Sequence, residues 1–543
     1  MKNTCYLFVT GGVVSSLGKG ISASSIAALL IERGLNVRMK KLDPYLNQDP
    51  GTMSPYQHGE VFVTDDGMET DLDLGYYERF TGVPANKNDS VTSGKIYSRV
   101  FKKERRGDYL GATIQVVPHI IDEIKDFIKN NNGDEDIVIC EIGGTVGDIE
   151  GLPFIEAIRQ MRFDLGKDRT MFLHMTLLPF ISCANELKTK PTQHSVKELL
   201  SLGIQPDILL CRSDKSIPKS EREKISQFCN VSYENVFSAE NVESIYQVPI
   251  KYYEEGIDKQ VCKHFNFSIE KHSNLKRWND FVNIIKNPEK EIKIAIVGKY
   301  DKLPDAYKSI YESLLHSGVF FKSKVNVDLI NADLNDKSFF ERIKKANGII
   351  VPGGFGIRGF DAKLEAIKYA RCNKIPFLGI CLGMQLSVIE GCRNILNLEG
   401  SSSLEFDVNT PYPVISLAEK WIKNGKEEYR TSHDDLGGSM RLGAYECVIK
   451  KDTLSYNAYG IEKISERHRH RFEVNPDYVE LLEGNGFVFS GKSPDGNLME
   501  IIEYIDHPWF VATQYHPEYK SRPFDPHPLF RDFLKASIDN HKD

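Results

Sequence analysis

A short apolar run, Tyr6 to Thr10, leads straight into Gly11-Gly12-Val13-Val14-Ser15-Ser16-Leu17-Gly18-Lys19-Gly20. No other feature limits the possible folds as strongly. A buried strand that breaks into glycine and resumes as a helix opens an α/β domain. The backbone N–H groups of the turn and of the helix N-terminus then converge on one spot beyond the strand. The helix is expected to end near Gly34, a C-terminal cap. Further strands are expected at Val37 to Leu42, Ile137 to Glu141, Met171 to Met175 and Ile208 to Cys211. The pattern returns later, at Lys293 to Gly298, Gly348 to Val351, Pro376 to Ile380 and Phe510 to Tyr515, the last ending at His516. Short strands alternating with longer amphipathic stretches predict largely parallel sheets. With 543 residues, the chain exceeds what one hydrophobic core organises. We therefore expect two doubly wound α/β domains, the first P-loop or Rossmann-like. A polar stretch containing His272-Ser273-Asn274 and Lys286-Asn287-Pro288-Glu289-Lys290-Glu291 predicts a linker at 267–291, between domains 1–266 and 292–543.

Several function classes are disfavoured. A net charge of −7 does not suit a dedicated nucleic-acid binder. No apolar run approaches the roughly 18 residues that span a bilayer, and the N-terminal run is too short for a signal-peptide core. The ten cysteines form no Cys-x-x-Cys pair, which fits free thiols in a reducing compartment. The expectation is a cytoplasmic protein with small-molecule substrates and neither nucleic acid nor membrane as partner.

The opening loop departs from the usual phosphate-binding spacing. Five residues separate Gly12 from Gly18, and Gly20 stands where a magnesium-binding Ser or Thr would be. If magnesium takes part, carboxylates must hold it, and Mg²⁺ prefers one or two of them together with substrate phosphates. Asp71 and Asp73 would share a face if their segment is extended, and Glu141 closes a predicted strand just before Gly143-Gly144. Lys188-Thr189-Lys190-Pro191-Thr192-Gln193 by itself reads as solvated surface, as charge runs usually are, and beside a nucleotide site it is a candidate second phosphate cradle.

The second block carries a sharper signal. Gly379-Ile380-Cys381-Leu382-Gly383 places a cysteine between glycines after an apolar strand, the pattern of a nucleophile elbow. A helix N-terminus just beyond favours the thiolate. Such a nucleophile needs a base, and the base needs an orienting group. His516-Pro517-Glu518 supplies both at another strand end. Val351-Pro352-Gly353-Gly354-Phe355-Gly356 is the candidate oxyanion loop. Within Arg467-His468-Arg469-His470-Arg471, one arginine is expected to grip a substrate carboxylate.

These strings resemble two families. Pro-Gly-Gly-Phe-Gly, Gly-Ile-Cys-Leu-Gly-Met-Gln and His-Pro-Glu are similar to class I (triad) glutamine amidotransferases. The opening loop, Lys41-Leu42-Asp43-Pro44-Tyr45, Gln57-His58-Gly59-Glu60-Val61, Glu69-Thr70-Asp71-Leu72-Asp73, Glu141 to Glu150 and Lys188 to Gln193 resemble the amidoligase domain of CTP synthases. The likeness runs from about residue 3 to residue 535 and includes the unusual loop spacing. It implies a glutamine-dependent ligase: glutamine is hydrolysed at one domain, ammonia passes through an internal channel, and ATP phosphorylates the 4-oxygen of UTP, which ammonia then displaces to give CTP.

Carried over by position, the resemblance makes Cys381, His516 and Glu518 the glutaminase triad. Lys19 and Lys41 are implied at the transferring phosphoryl group, and Asp73 and Glu141 at Mg²⁺. ATP would be met by Ser16, Leu17, Gly18, Lys19, Gly20, Ile21, Asp73 and Val242. UTP, or CTP as feedback inhibitor, would be met by Ser15, Asp148, Ile149, Glu150, Lys188, Thr189, Lys190, Pro191, Thr192, Gln193 and Lys224. Glutamine would be held by Gly354, Leu382, Gly383, Met384, Gln385, Glu405 and Arg471. The family also implies GTP as allosteric activator, a mobile lid over Arg430 to Gly443, and a homotetramer able to form filaments. A cobyrinic-acid-type amide synthase would share the general layout without the His58-Gly59-Glu60 or Lys188 to Gln193 strings. A catalytically inert scaffold would not need the triad.

Overall fold

The computed structural model describes residues 4–130, 133–183, 185–268, 274–300, 303–333, 337–417, 420–423, 426–429 and 440–540, with backbone alone for 420–423 and 426–429. The chain forms two compact α/β units. One comprises Met1–Pro50 and Asp73–Asn283, the other Gly51–Leu72 and Ile284–Asp543.

In the first unit, the described residues form a sheet of seven strands, all parallel. Their order is Val236–Glu240, Ile208–Ser213, Thr170–Leu177, Cys5–Gly11, Ile137–Ile142, Val37–Asp43 and Ser90–Thr92. The first strand in sequence lies inside the sheet, and later strands add on both of its sides. The carboxyl end of such a strand is a topological switch point, where open α/β sheets bind ligands. Tyr6, Phe8, Val138 and Cys140 pack in one core with Ile121, Ile124, Ile155 and Ile158, from the helices Ile121–Lys129 and Leu152–Leu165. The helix Lys19–Glu32 follows the glycine loop and touches the strands Cys5–Gly11, Val37–Asp43 and Ile137–Ile142.

In the second unit, nine described strands form one sheet. Ser323–Asn331, Lys290–Gly298, Gly348–Val351, Phe377–Ile380 and Phe510–Thr513 run parallel. Met499–Tyr504, Phe487–Lys492, Arg441–Ile449 and Lys463–His470 continue it antiparallel. Three neighbouring parallel strands therefore end side by side at Pro352, Cys381 and Gln514.

The units divide the chain differently from the expected 1–266, 267–291 and 292–543. The polar 267–291 stretch contains a helix, Lys276–Lys286, and a strand that begins at Lys290. Trp278 of that helix is fully buried against the rings of Phe80 and Tyr246, at centroid distances of 5.5 and 6.3 Å. One large aromatic outweighs the polar neighbours that made the segment read as linker. The segment Gly51–Leu72 groups with the carboxyl-terminal sequence for an electrostatic reason. Arg467 Nε donates to Asp65 Oδ1 at 2.7 Å, and Arg469 Nε donates to Glu69 Oε1 at 2.7 Å. The Ala444 amide donates to the Asp65 carbonyl at 2.8 Å.

Candidate active sites

Cys381 caps the N-terminus of the helix Leu382–Asn394 with φ 52° and ψ −101°, a backbone conformation that costs a non-glycine residue energy. The cost persists because the surroundings dictate it. The Cys381 amide donates to the Thr513 carbonyl at 2.6 Å. A Cβ on Gly383 would lie 2.2 Å from the Val351 carbonyl oxygen, so only glycine lets the helix start this close to the neighbouring strand. The elbow read from Gly379 to Gly383 is thus formed, and its cysteine is 5% exposed.

His516 Nδ1 lies 2.8 Å from Glu518 Oε1, and its ring stacks on Tyr519 at 5.1 Å and 15°. Burial alone would drive the imidazole towards neutrality. Glu518 and the Cys381 sulfur overcome this and raise His516 to about 10. A cavity of about 190 Å³ is lined by Cys381, His516, Glu518, Gly353, Gly354 and Arg469, together with Met53, Gly59, Glu60 and Val61 of the 51–72 segment. Tyr519 donates its hydroxyl to the Val61 carbonyl at 2.9 Å, and Ser309 donates amide and hydroxyl to Glu60 Oε2 at 3.0 and 2.6 Å.

The glycine loop beside the thiol is held from two directions. Lys299 Nζ donates to the carbonyls of Phe355 and Gly356, both at 2.6 Å. The Gly356 amide donates to Glu405 at 2.8 Å. Burial pushes Lys299 down to about 8, against the pull of Glu405. Gly354 lines the cavity, whereas Leu382, Gly383, Met384, Gln385, Glu405 and Arg471 are not among its lining residues. Met384 is fully buried in the core. The Gln385 side chain donates to the Phe472 carbonyl at 2.9 Å. The arginine run divides its work: Arg467 and Arg469 hold Asp65 and Glu69, while the Arg471 guanidinium lies 5.6 Å from the Phe355 ring centre. Of the lid expected at Arg430 to Gly443, residues 430–439 lie outside the described residues.

In the first unit, parallel register sets Lys41 beside Glu141. Lys41 Nζ reaches Asp73 at 2.5 Å, Glu141 at 3.0 Å and Asp43 at 3.6 Å. Burial opposes its charge, but the three carboxylates together outweigh it and raise Lys41 well above the ordinary lysine range. The Tyr77 hydroxyl donates to Glu141. A Cβ at Gly20 would lie 2.5 Å from Asp73 Oδ1 and 3.2 Å from Glu141 Oε2. Glycine replaces the usual Ser or Thr because carboxylates occupy that space. These donors fit Mg²⁺: two carboxylates crowd the first turn after a phosphate-type loop, leaving further coordination positions to phosphate and water. Asp73 and Asp71 do not share an extended face. Asp73 opens the helix Asp73–Thr81, and Asp71 lies 3.6 Å from His58.

Lys19 donates to the Gly144 carbonyl, and burial lowers it despite the pull of Glu141. Leu17 is buried, Gly18, Lys19 and Ile21 are half-buried, and Ser15 and Ser16 are exposed. The Val146 amide donates to the Gly11 carbonyl at 2.8 Å, drawing the 144–150 loop towards the glycine loop. Asp148, Ile149 and Glu150 are exposed, as are Lys190 and Lys224, and Lys188 is half-buried. A Cβ at Gly147 would lie 3.2 Å from Glu198 Cγ, so the same loop lies against the helix Lys190–Ser201. Thr192 is fully buried, with its hydroxyl 3.0 Å from that of Thr176, and Gln193 donates to Thr189 at 3.1 Å. Pro191 lies in the first turn of this helix, and half-buried Val242 follows the strand Val236–Glu240. The sequence assigns no role to Asp43 or Tyr77: Asp43 lies in Lys41-Leu42-Asp43-Pro44-Tyr45 without a distinguishing signal, and nothing marks Tyr77.

Residues 5–267 match the family model described as the CTP synthase N-terminus, and 302–536 match class-I glutamine amidotransferase. CTP synthase of Paramagnetospirillum magneticum is 57% identical over 536 residues, covering 98% of this chain and 99% of that protein. The chain belongs to the CTP synthase family. Other CTP synthases agree: that of Zymomonas mobilis is 56% identical over 98% of both chains, and that of Brucella anthropi 57% over 99% of both. Among solved structures, the Trypanosoma brucei CTP synthase glutaminase domain with bound acivicin is 32% identical over 46% of this chain and 96% of that one, with a TM-score of 0.42. Membership of the CTP synthases makes the chain a glutamine-hydrolysing ligase. No helix among its described residues is long and apolar enough to cross a membrane.

Proposed function

We propose that the chain aminates UTP to CTP at the first unit, using ATP and the ammonia that the second unit releases from glutamine. The observation carrying the glutaminase half is the Cys381 elbow beside the His516–Glu518 pair, all lining one cavity. The Cys381 thiolate attacks the side-chain carbonyl carbon of glutamine, and the carbonyl oxygen becomes an oxyanion. Backbone N–H groups of the Gly353-Gly354 loop and of Leu382, at the helix start, stabilise it. His516, protonated at neutral pH, gives its proton to the departing nitrogen, and ammonia leaves with a thioester on Cys381. His516, now neutral, takes a proton from water, hydroxide attacks the thioester, the Cys381 thiolate is expelled and restored, and glutamate leaves with its carboxyl proton lost to water. Glu518 keeps the imidazole oriented throughout. Gly354, Leu382, Gly383, Met384, Gln385, Glu405 and Arg471 are proposed to hold glutamine, with Met384 and Gln385 acting through their backbones. Buried Gly59 and Glu60, which line the cavity beside Cys381, support keeping the released ammonia from water, which would otherwise protonate it.

At the first unit, Lys19 and Lys41 stabilise the γ-phosphoryl group as it moves from ATP to the 4-oxygen of UTP. Ammonia adds to carbon 4, phosphate leaves, and loss of a proton gives CTP. Asp73 and Glu141 would hold Mg²⁺, which supplies charge neutralisation for the phosphates. Ser16 to Ile21 and Val242 bind ATP. Ser15, Asp148 to Glu150, Lys188 to Gln193 and Lys224 bind UTP, or CTP as inhibitor. GTP activation, cytoplasmic location, a homotetramer and filament assembly are the rest of this proposal and rest on family membership. The test is cytosine absorbance from UTP, ATP, Mg²⁺ and ammonium chloride without glutamine. Product establishes the ligase half. Folded protein that hydrolyses glutamine but makes no CTP would show that the acceptor is read wrongly.

A further inference from the structure

Behind the nucleophile lies a polar chain of which Gln514 is the inner end. Gln514 is fully buried between the strand Phe510–Thr513 and His516, and a buried amide must be spent on hydrogen bonds. Its backbone amide donates to the Glu500 carbonyl at 2.9 Å. The orientation of its side chain follows from its neighbours. The Phe472 carbonyl can only accept, so the Gln385 atom 2.9 Å away is the nitrogen Nε2. That nitrogen carries a second hydrogen and donates to Gln514 Oε1 at 3.4 Å. Gln514 Nε2 is thereby turned to the Cys381 sulfur, 3.8 Å away.

We propose that Gln514 is a positioning residue for the glutaminase reaction, its Nε2–H holding the Cys381 sulfur and favouring its thiolate. This rests on reading Cys381 as the nucleophile. An N–H donor gains most when its acceptor is charged, so the contact strengthens when the thiol loses its proton. The same sulfur can instead donate to the Arg469 carbonyl at 3.9 Å, an arrangement open only to the neutral thiol. Gln514 and Arg469 thus favour opposite protonation states from opposite partners. His516 and Tyr519 also act on the sulfur, and Glu60, Glu518 and the Arg469 guanidinium act on those two. Gln514 differs from them in being neutral at every pH. Gln385 orients it, which gives the buried Gln385 side chain a purpose.

The experiment compares Gln514→Met and Gln514→Glu with the parent full-length protein. Both keep the side chain's length, and neither can offer an ionised sulfur the same donor. Glutamine-dependent kcat is expected to fall roughly ten- to a hundredfold, the worth of one hydrogen bond to a charged group. Ammonia-dependent CTP formation is expected to stay within about twofold, and serves as the control for folding. The rate of Cys381 alkylation by iodoacetamide is expected to move to higher pH, further for Gln514→Glu, which adds a like charge. An unshifted alkylation profile, or equal loss of both activities, overturns the proposal. Cys381→Ala separates this from the reading beneath it. Retained glutaminase activity in that variant would refute the nucleophile, whereas an inactive Cys381→Ala with parent-like Gln514 variants would refute Gln514 alone.

Discussion

The two candidate sites solve their electrostatics differently. At Cys381 the reactive groups are set in place before any substrate arrives. The elbow backbone is strained, His516 is locked onto Glu518, and the neighbouring loop is clamped by Lys299 and Glu405. At Lys41 one buried ammonium is shared among three carboxylates, Asp73, Glu141 and Asp43. Attack on a carbonyl needs atoms held to within fractions of an ångström, so geometry is built in. Phosphoryl transfer asks mainly for charge around a ligand that brings its own, so carboxylates and ammonium groups hold each other until phosphate enters.

The sharpest way to break this comparison is Cys381→Ala. Glutamine-dependent CTP formation should disappear and ammonia-dependent formation should continue. Loss of both would mean that the sites are not separable. Replacing Lys41 with Met should remove CTP formation from either nitrogen source, with a loss on the order of a thousandfold if Lys41 meets the developing charge. It should also lower the melting temperature, because three carboxylates lose their buried cation. A variant that melts earlier yet makes CTP normally would leave Lys41 a structural role only.

Glu518→Gln should slow the glutaminase by roughly a hundredfold or more, since the imidazole loses its orienting charge. The same variant tests the pH dependence. His516 is raised in the fold, so its charge stabilises the native state fully below about 6.5 and this is lost as pH climbs through about 10. Parent denaturation midpoints should fall across that window, and the Glu518→Gln midpoints should fall less. Parallel pH profiles would show that Glu518 is not what holds the proton. Gly20→Ser should have the smallest effect, raising the ATP KM several-fold in the ammonia assay while glutaminase activity is unchanged, because the new side chain meets Asp73. Unchanged KM would mean that Asp73 moves aside freely.

Much of the second site was legible because each of its parts is a local event at a strand end. Gly379 to Gly383 encode the elbow, and His516-Pro517-Glu518 follow the next strand over, so adjacency of the three parallel strands was enough to join them. The first site was legible only in part. The missing Ser or Thr at position 20 points to carboxylates, and Asp73 and Glu141 lie where its side chain would be. Pairing Asp73 with Asp71 failed, because a helix begins at Asp73 and turns it away from an extended run. At the second site, the run 467–471 leaves open which arginine grips a carboxylate and only the resemblance points to Arg471; Arg467 and Arg469 serve Asp65 and Glu69.

By itself the sequence determined the two α/β units, the elbow cysteine with its histidine and glutamate, and the phosphate-type loop. Each of these parts rests on residues within a few positions of one another, where glycine freedom and strand periodicity act, and Cys381 meets the distant His516 because their strands are neighbours. Tertiary structure alone decided which unit claims residues 51–72, which partners surround Lys41, and that Gln514 faces the thiol. Those outcomes depend on sheet register and on pairings such as Arg467 with Asp65, 402 positions apart, where burial makes an unpaired charge too costly to leave.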